Sequence, residues 1–306
     1  MNPYSYSSGE PHFNLYLKKA TARWLHYEVN FRSACPTHYV KNNLVRGEYF
    51  QPQGAGHALA ILLHGMGDRS VIPCRLLAKT LVKKGIACFI LYLVFHSSRM
   101  PEDIRNRLPA LTIDEWFESY QLSVVDVRQV IDWAGSRAEI DRERIAAIGV
   151  SFGGFISAIA MGIDERIRAG VFLTSGGNLV KIAWLSKAFG HRMGYKRNEA
   201  AYRNTQSSYA QYLDQVAEKG FENVIPSEKT FLTDPMTFAR YLRQRPVLMI
   251  NALWDPVIPK GATIDFWEAC GKPSIIWLPG THTTIWLWYP FISIKIARFL
   301  QSTLEI

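Results

Sequence analysis

Residues Gly149-Val150-Ser151-Phe152-Gly153 form a G-x-S-x-G pentapeptide. In this pattern the serine sits on a sharp turn between a strand and a helix, with its hydroxyl above the end of a sheet. Glycines flank it because the turn brings backbone too close to admit a Cβ. A serine hydroxyl is a poor nucleophile at its ordinary pKa, so it needs a base, and the base needs a third group to fix its tautomer. Two later segments offer both. The run Pro246 to Leu253 is apolar and leads through Trp254 to Asp255-Pro256. Read alone, Asp255 is equally a turn aspartate before proline. Ser274 to Leu278 is apolar and runs into Pro279-Gly280-Thr281-His282. A lone histidine is more often structural, but this one lies in a loop at a strand end. The chain order Ser151, Asp255, His282 is the order expected when these three act together on a strand–turn–helix serine. Charge developing on a substrate oxygen needs fixed donors, and backbone N–H groups suit this. Candidates are the amide of Phe152 and, in the loop His64-Gly65-Met66-Gly67, the amide of Met66. His64 reads as a residue that orders this loop rather than one that reacts.

These residues need a scaffold that brings distant strand ends together. Ala58–Leu63, Gly85–Leu93, Ile145–Val150, Ala169–Thr174, Pro246–Leu253 and Ser274–Leu278 are apolar runs of strand length. Continuous apolar runs belong to parallel strands covered on both faces. Between them, Pro73–Lys84, Gly154–Met161 and Asp114–Gly135 read as helices, and Ile292–Leu304 as a closing one. Trp116, Tyr120, Val124, Val127 and Ile131 recur at helical spacing. The alternation predicts an α/β fold with a mostly parallel central sheet and helices on both faces. Ligand sites in such sheets lie beyond the carboxyl ends of the strands. Trp24–Arg32 and Tyr39–Phe50 alternate as two antiparallel edge strands, preceded by an arm or short helix. Two stretches break the alternation: a loop, 94–113, and a long helical insertion, 178–245. Long insertions in compact domains are usually functional, and the second reads as a lid or cap. The expected division is a core of 1–177 and 246–306, with an arm at 1–23. Within the insertion Tyr195, Tyr202, Tyr209 and Tyr212 pack its interior on one reading and face the site on another.

Composition narrows the class. A chain of 306 residues buries a sizeable core. Lys and Arg exceed Asp and Glu by 35 − 26 = 9. Between Lys181 and Arg203 there are six basic residues (Lys181, Lys187, Arg192, Lys196, Arg197, Arg203) and one acidic residue, Glu199. Such a face attracts anions or is simply solvated. No nucleic-acid motif accompanies it. Cys35, Cys74, Cys88 and Cys270 have neither metal-like nor disulfide-framework spacing, which points to a reducing, cytoplasmic setting. The first twenty residues lack the apolar core of a secretory signal. The apolar run Ile285–Ile292 is too short to span a bilayer.

On the strength of the serine pentapeptide, the Ser–Asp–His order and the His64-Gly65 loop, the chain resembles the α/β-hydrolases. It is nearer the dienelactone-hydrolase and prolyl-oligopeptidase-type esterases than the lipases. The resemblance covers about 40–175 and 245–304. It implies Ser151 as nucleophile, Asp255 as acid and His282 as base. It departs at Ala252, where many members carry glycine, and at Gly280-Thr281-His282, where many have Gly-His. The implied activity is ester hydrolysis by a carboxylesterase on a small-molecule substrate, with no metal or organic cofactor. A homodimer is compatible with the apolar segment near His282. The alternatives are a small peptidase or aminopeptidase and a non-catalytic binding module. The large shielding domain of the prolyl-oligopeptidase-type peptidases has no room in the 63 residues before His64.

Overall fold

The computed structural model describes residues 2–7, 12–67, 71–107, 111–188 and 198–306. Nine strands form one sheet: β1 (Asn14–Ala20), β2 (Trp24–Arg32), β3 (Leu44–Pro52), β4 (His57–Leu63), β5 (Ala87–Leu91), β6 (Ile140–Val150), β7 (Ile167–Leu173), β8 (Val247–Ala252) and β9 (Ser274–Leu278). Their spatial order is β1-β2-β3-β5-β4-β6-β7-β8-β9. The pairs from β5 through β9 are parallel, and β1 to β3 extend the sheet antiparallel.

Alternation along each strand divides the core. In β4, Leu59, Ile61 and Leu63 face one apolar cluster, while Ala58, Ala60 and Leu62 face the other. The first cluster is covered by helices α2 (Ile113–Gly135), α3 (Phe152–Ile163) and α6 (Lys260–Ala269). The second is covered by α1 (Val71–Val82) and α7 (Tyr289–Thr303). This is the two-faced arrangement that continuous apolar strands require. Helix α2 starts where Thr112 and Glu115 form a reciprocal capping box. Of the stripe expected from the sequence it buries Tyr120, Val124, Val127 and Ile131, while Trp116 at its start is half-buried.

Two expectations at the N-terminal side are corrected. The stretch expected as an arm or short helix contains a strand, β1, and this strand rather than β2 forms the sheet edge. Most β1 side chains are exposed, so no buried face marks it in the sequence. Its backbone ladder to β2, interrupted by a bulge at Leu17/Lys19, holds it. The strand expected from Tyr39 begins only at Leu44, because residues 40–43 form a helical turn. There the Asn43 side chain bonds both the N–H and the carbonyl of Thr37.

Between β7 and β8 the insertion contains α4 (Leu179–Leu185), α5 (Glu199–Lys219) and short helical turns up to Leu242. Its aromatics mostly pack inward. Tyr209 and Tyr212 are buried against Phe231, with ring centroids 4.6 and 5.5 Å away. Tyr202 stacks on Trp184 at 4.8 Å. Tyr195 and the basic residues Arg192, Lys196 and Arg197 lie outside the described residues. The insertion shares the first core cluster with the sheet. Phe238 packs so closely on α3 that a methyl on Gly162 would lie 2.6 Å from its Cβ. From the chain start, Tyr4 meets the same ring at 5.9 Å. The buried Asp234 carboxylate accepts from the N–H groups of Asn178, Leu179 and Met236, tying the start of the insertion to its end. Burial pushes its pKa up to about 6, against the pull of these bonds.

Candidate active site

Ser151 links the end of β6 to the start of α3 with φ 53° and ψ −116°. An L-residue rarely adopts this conformation, and such strain persists only where the surroundings impose it. Here they do. The Ser151 N–H donates to the Leu173 carbonyl at 2.8 Å, and the Ser151 carbonyl accepts from Gly154 at 2.8 Å. A methyl on Gly149 would lie 2.1 Å from the Gly153 oxygen, and one on Gly153 would lie 2.2 Å from the Leu63 oxygen. Both glycines are therefore required by close backbone approach, the physical content of the pentapeptide.

Asp255 and His282 follow the adjacent strand ends β8 and β9. Asp255 Oδ1 accepts from the N–H groups of Val257 (2.8 Å) and Ile258 (2.9 Å), which fixes the carboxylate. Oδ2 then lies 2.7 Å from His282 Nδ1, and His282 Nε2 lies 2.9 Å from Ser151 Oγ. An ionised carboxylate only accepts, so Nδ1 carries the proton and Nε2 is the acceptor facing the serine. The loops that carry the pair are joined by backbone bonds: Leu253 N–H to the Leu278 carbonyl and Trp254 N–H to the Gly280 carbonyl. Residues 104 and 131 positions apart from Ser151 are thus brought within one hydrogen-bonded chain.

The loop after β4 runs beside the serine. A methyl on Gly65 would lie 3.3 Å from Ser151 Cβ. Met66 follows with its side chain exposed. His64 is fully buried, and its Nδ1–H donates to the Gly65 carbonyl at 2.7 Å while Nε2 accepts from Leu93 N–H at 3.1 Å. It thus clamps the ends of β4 and β5 and orders the loop. Burial, with His96 nearby, drives its pKa down to about 3, so the ring is neutral. The amide of Phe152 opens α3, where first-turn N–H groups have no helical partner and point along the positive end of the helix dipole.

What supports this from behind is assembled from segments far apart in the chain. The loop after β5 contains Phe95 and Ser97 at positive φ. Its His96 ring stacks on Phe152 at 5.5 Å. Arg99 holds the loop: it is fully buried, pairs with Asp126 of α2 at 2.8 Å, and donates to the carbonyls of Tyr92 and Asn42. Ser33 donates to the other Asp126 oxygen. The one sequence signal was Asp126 standing inside the apolar run of α2.

Residues 18–285 match the family described as alpha/beta hydrolase domain containing 18. The chain belongs to this family. It is 23% identical over 184 residues to an uncharacterized protein of Mycobacterium tuberculosis, found in strains CDC 1551 and H37Rv. That match covers 60% of this chain and 37% of the relative, so the chain aligns with little more than a third of those proteins. Among solved structures it resembles the acetyl xylan esterase from Paenibacillus sp. R4, with a TM-score of 0.65 at 18% identity, covering 96% of this chain and 89% of that one. Acetyl xylan esterase 1 from Thermoanaerobacterium sp. JW/SL YS485 gives 0.64 at 15% identity, covering 94% and 88%. The alpha/beta hydrolase GrgF from Penicillium sp. sh18 gives 0.59 at 15%, covering 92% and 99%. These likenesses establish the α/β-hydrolase fold, and family membership makes the chain hydrolase-like.

Proposed function

We propose that this chain is a serine carboxylesterase acting through an acyl-enzyme. The observation that carries the reading is the continuous chain from Ser151 Oγ through His282 to Asp255, at 2.9 and 2.7 Å. Ser151 Oγ attacks the acyl carbon while His282 Nε2 takes its proton. The amides of Phe152 and Met66 receive the oxyanion. Collapse expels the alcohol, which takes the proton from His282. Water then repeats the sequence on the acyl-enzyme, with His282 again as base, and releases the acid. Asp255 holds the imidazole in its tautomer and stabilises the imidazolium that forms. The strained serine needs no rearrangement to present its hydroxyl. Residues 178–245 act in this reading as a cap on the hydrolase core, and the ester is a small molecule.

The test is hydrolysis of p-nitrophenyl esters from acetate to palmitate, with Ser151→Ala protein alongside. We expect serine-dependent turnover, lowered about 10⁴-fold or more in the variant. Turnover at the wild-type level in clean Ser151→Ala protein would overturn the assignment. No turnover on any ester, with cleavage of aminoacyl amides instead, would replace it with the peptidase reading. Failure of a phosphonate to label Ser151 would leave a binding module on a hydrolase fold.

A further inference from the structure

Helices α1 and α7 both begin at the strand ends that carry the site, and they lie side by side: the Tyr289 hydroxyl donates to the Leu76 carbonyl at 2.8 Å. Each presents an outward stripe at the same spacing. On α1 the stripe is Ile72, Leu76 and Lys79, continued by Lys83 just past its end; the exposed Arg75 beside it pairs with Glu48. On α7 and the turn before it the matching stripe is Leu287, Phe291, Ile294 and Arg298, all exposed. In both, the apolar positions come first, nearest the site, and the basic ones follow a turn or two on. Leu287 is 83% exposed, two turns of chain beyond His282. Two exposed tryptophans border the loop that delivers this histidine: Trp288 donates its indole N–H to the Pro279 carbonyl, and Trp254 is 66% exposed. A soluble surface rarely groups so many large apolar side chains without an occupant.

Charge selects the occupant. Residues 71–101 contain no Asp or Glu; of their basic residues Lys79, Lys83 and Lys84 are exposed, while Arg75 pairs with Glu48 and Arg99 is buried on Asp126. Residues 273–304 contain no Asp or Glu and two basic residues, Lys295 and Arg298. A second copy of the same face would bring basic groups against basic groups. An anionic bilayer surface complements it: apolar and tryptophan side chains enter the headgroup boundary, and the lysines and arginines meet the lipid phosphates. Among the described residues no helix is long and apolar enough to cross a membrane, so the contact is peripheral.

We infer that the face formed by α1, α7 and the turn 284–288 docks on an anionic lipid surface and sets the Ser151 site against it. Binding is read without turnover, so this stands or falls separately from the esterase reading.

The test is co-sedimentation of the full chain with vesicles of phosphatidylcholine alone or mixed with phosphatidylserine. Binding to the mixed vesicles, weakened by salt, is expected. Leu287→Asp should weaken it about tenfold or more, since a buried leucine is replaced by a charge facing lipid phosphate. Lys79→Glu with Lys83→Glu should weaken it about tenfold or more as well. Far-UV circular dichroism and the melting temperature should be close to wild type in both, which shows that the variants are folded. Absence of binding to the mixed vesicles overturns the inference, as does binding indifferent to phosphatidylserine and to both variants. A chain that sediments as a dimer until Leu287→Asp is introduced, and ignores vesicles, overturns it in favour of self-association.

Discussion

A single carboxylate oxygen decides which nitrogen of His282 faces the serine. Asp255→Asn would offer an amide that can present its N–H to Nδ1 and select the wrong tautomer. We expect kcat to fall about 10⁴-fold with the fold intact, measured by single-turnover hydrolysis beside a melting curve. Loss of turnover no greater than a few-fold would mean that Asp255 does not orient the base. Gly153 tests the turn rather than the chemistry. Its replacement by alanine would push a methyl to 2.2 Å from the Leu63 oxygen, which is backbone and has nowhere to go. The Gly153→Ala chain should melt well below wild type or fail to fold, whereas an unchanged melting temperature would show that the β4–α3 approach is looser than described.

At the scale of elements, the loop behind the site depends on one buried ion pair. Removing one partner of such a pair leaves an uncompensated charge and costs about 3–5 kcal/mol, while replacing both by apolar residues is often neutral. Asp126→Asn should therefore lower the urea midpoint sharply, and Arg99→Met with Asp126→Leu should restore only part of it, because the Tyr92 and Asn42 carbonyls and the Ser33 hydroxyl lose their partners. If the single variant is as stable as wild type, Arg99 is not held as described. This pair also marks where the sequence stops being legible. The parallel strands announced themselves because apolar runs need cover on both faces, and α2 because its stripe repeats at helical spacing. Ser151 was visible because its constraints are local, within five residues. Asp255 and His282 were visible as strand-end residues in a particular chain order, although only the three-dimensional arrangement brings them within hydrogen-bond reach. Arg99 and Asp126 are 27 positions apart in unrelated elements, and a basic loop residue carries no mark of burial. The β1 strand escaped for the opposite reason: it is held by backbone bonds to β2 and buries almost nothing. The insertion reads as helical in sequence, but its sharing of the sheet's own core through Phe238 and Tyr4 is a long-range fact.

Over the whole molecule, two buried groups make stability fall with acid. His64 is neutral when folded, with its pKa driven from 6.5 to about 3 by burial and by His96 and Arg99. The unfolded chain protonates first, so stability is lost as pH falls from 6.5 toward 3. For Glu48 burial acts to raise the pKa, but hydrogen bonds from His26, Tyr92 and Arg75 outweigh it and hold the carboxyl at about 2 rather than 4.5. Its contribution is present above pH 4.5 and lost as pH falls toward 2, about 3 kcal/mol in all. Asp234, raised to about 6 by burial, acts in the opposite sense between about pH 6 and 3.8 and offsets part of the His64 loss, so urea midpoints should fall most clearly below pH 4.5, where Glu48→Gln should flatten the curve. A nitrogen NMR signature of the imidazolium at His64 in the folded chain at pH 5 would mean that burial does not keep this ring neutral.

The conformation of Ser151 carries a cost that no other residue type would remove except one. At φ 53° and ψ −116° the serine Cβ is the source of the conflict, and glycine has none. Under the proposed mechanism a Ser151→Gly chain is inert, and it should gain stability, up to about 1–3 kcal/mol less the added freedom of its unfolded form. Selection for heat resistance alone would therefore push this position away from serine. A serine kept here in a population under thermal selection would be a record of selection for turnover.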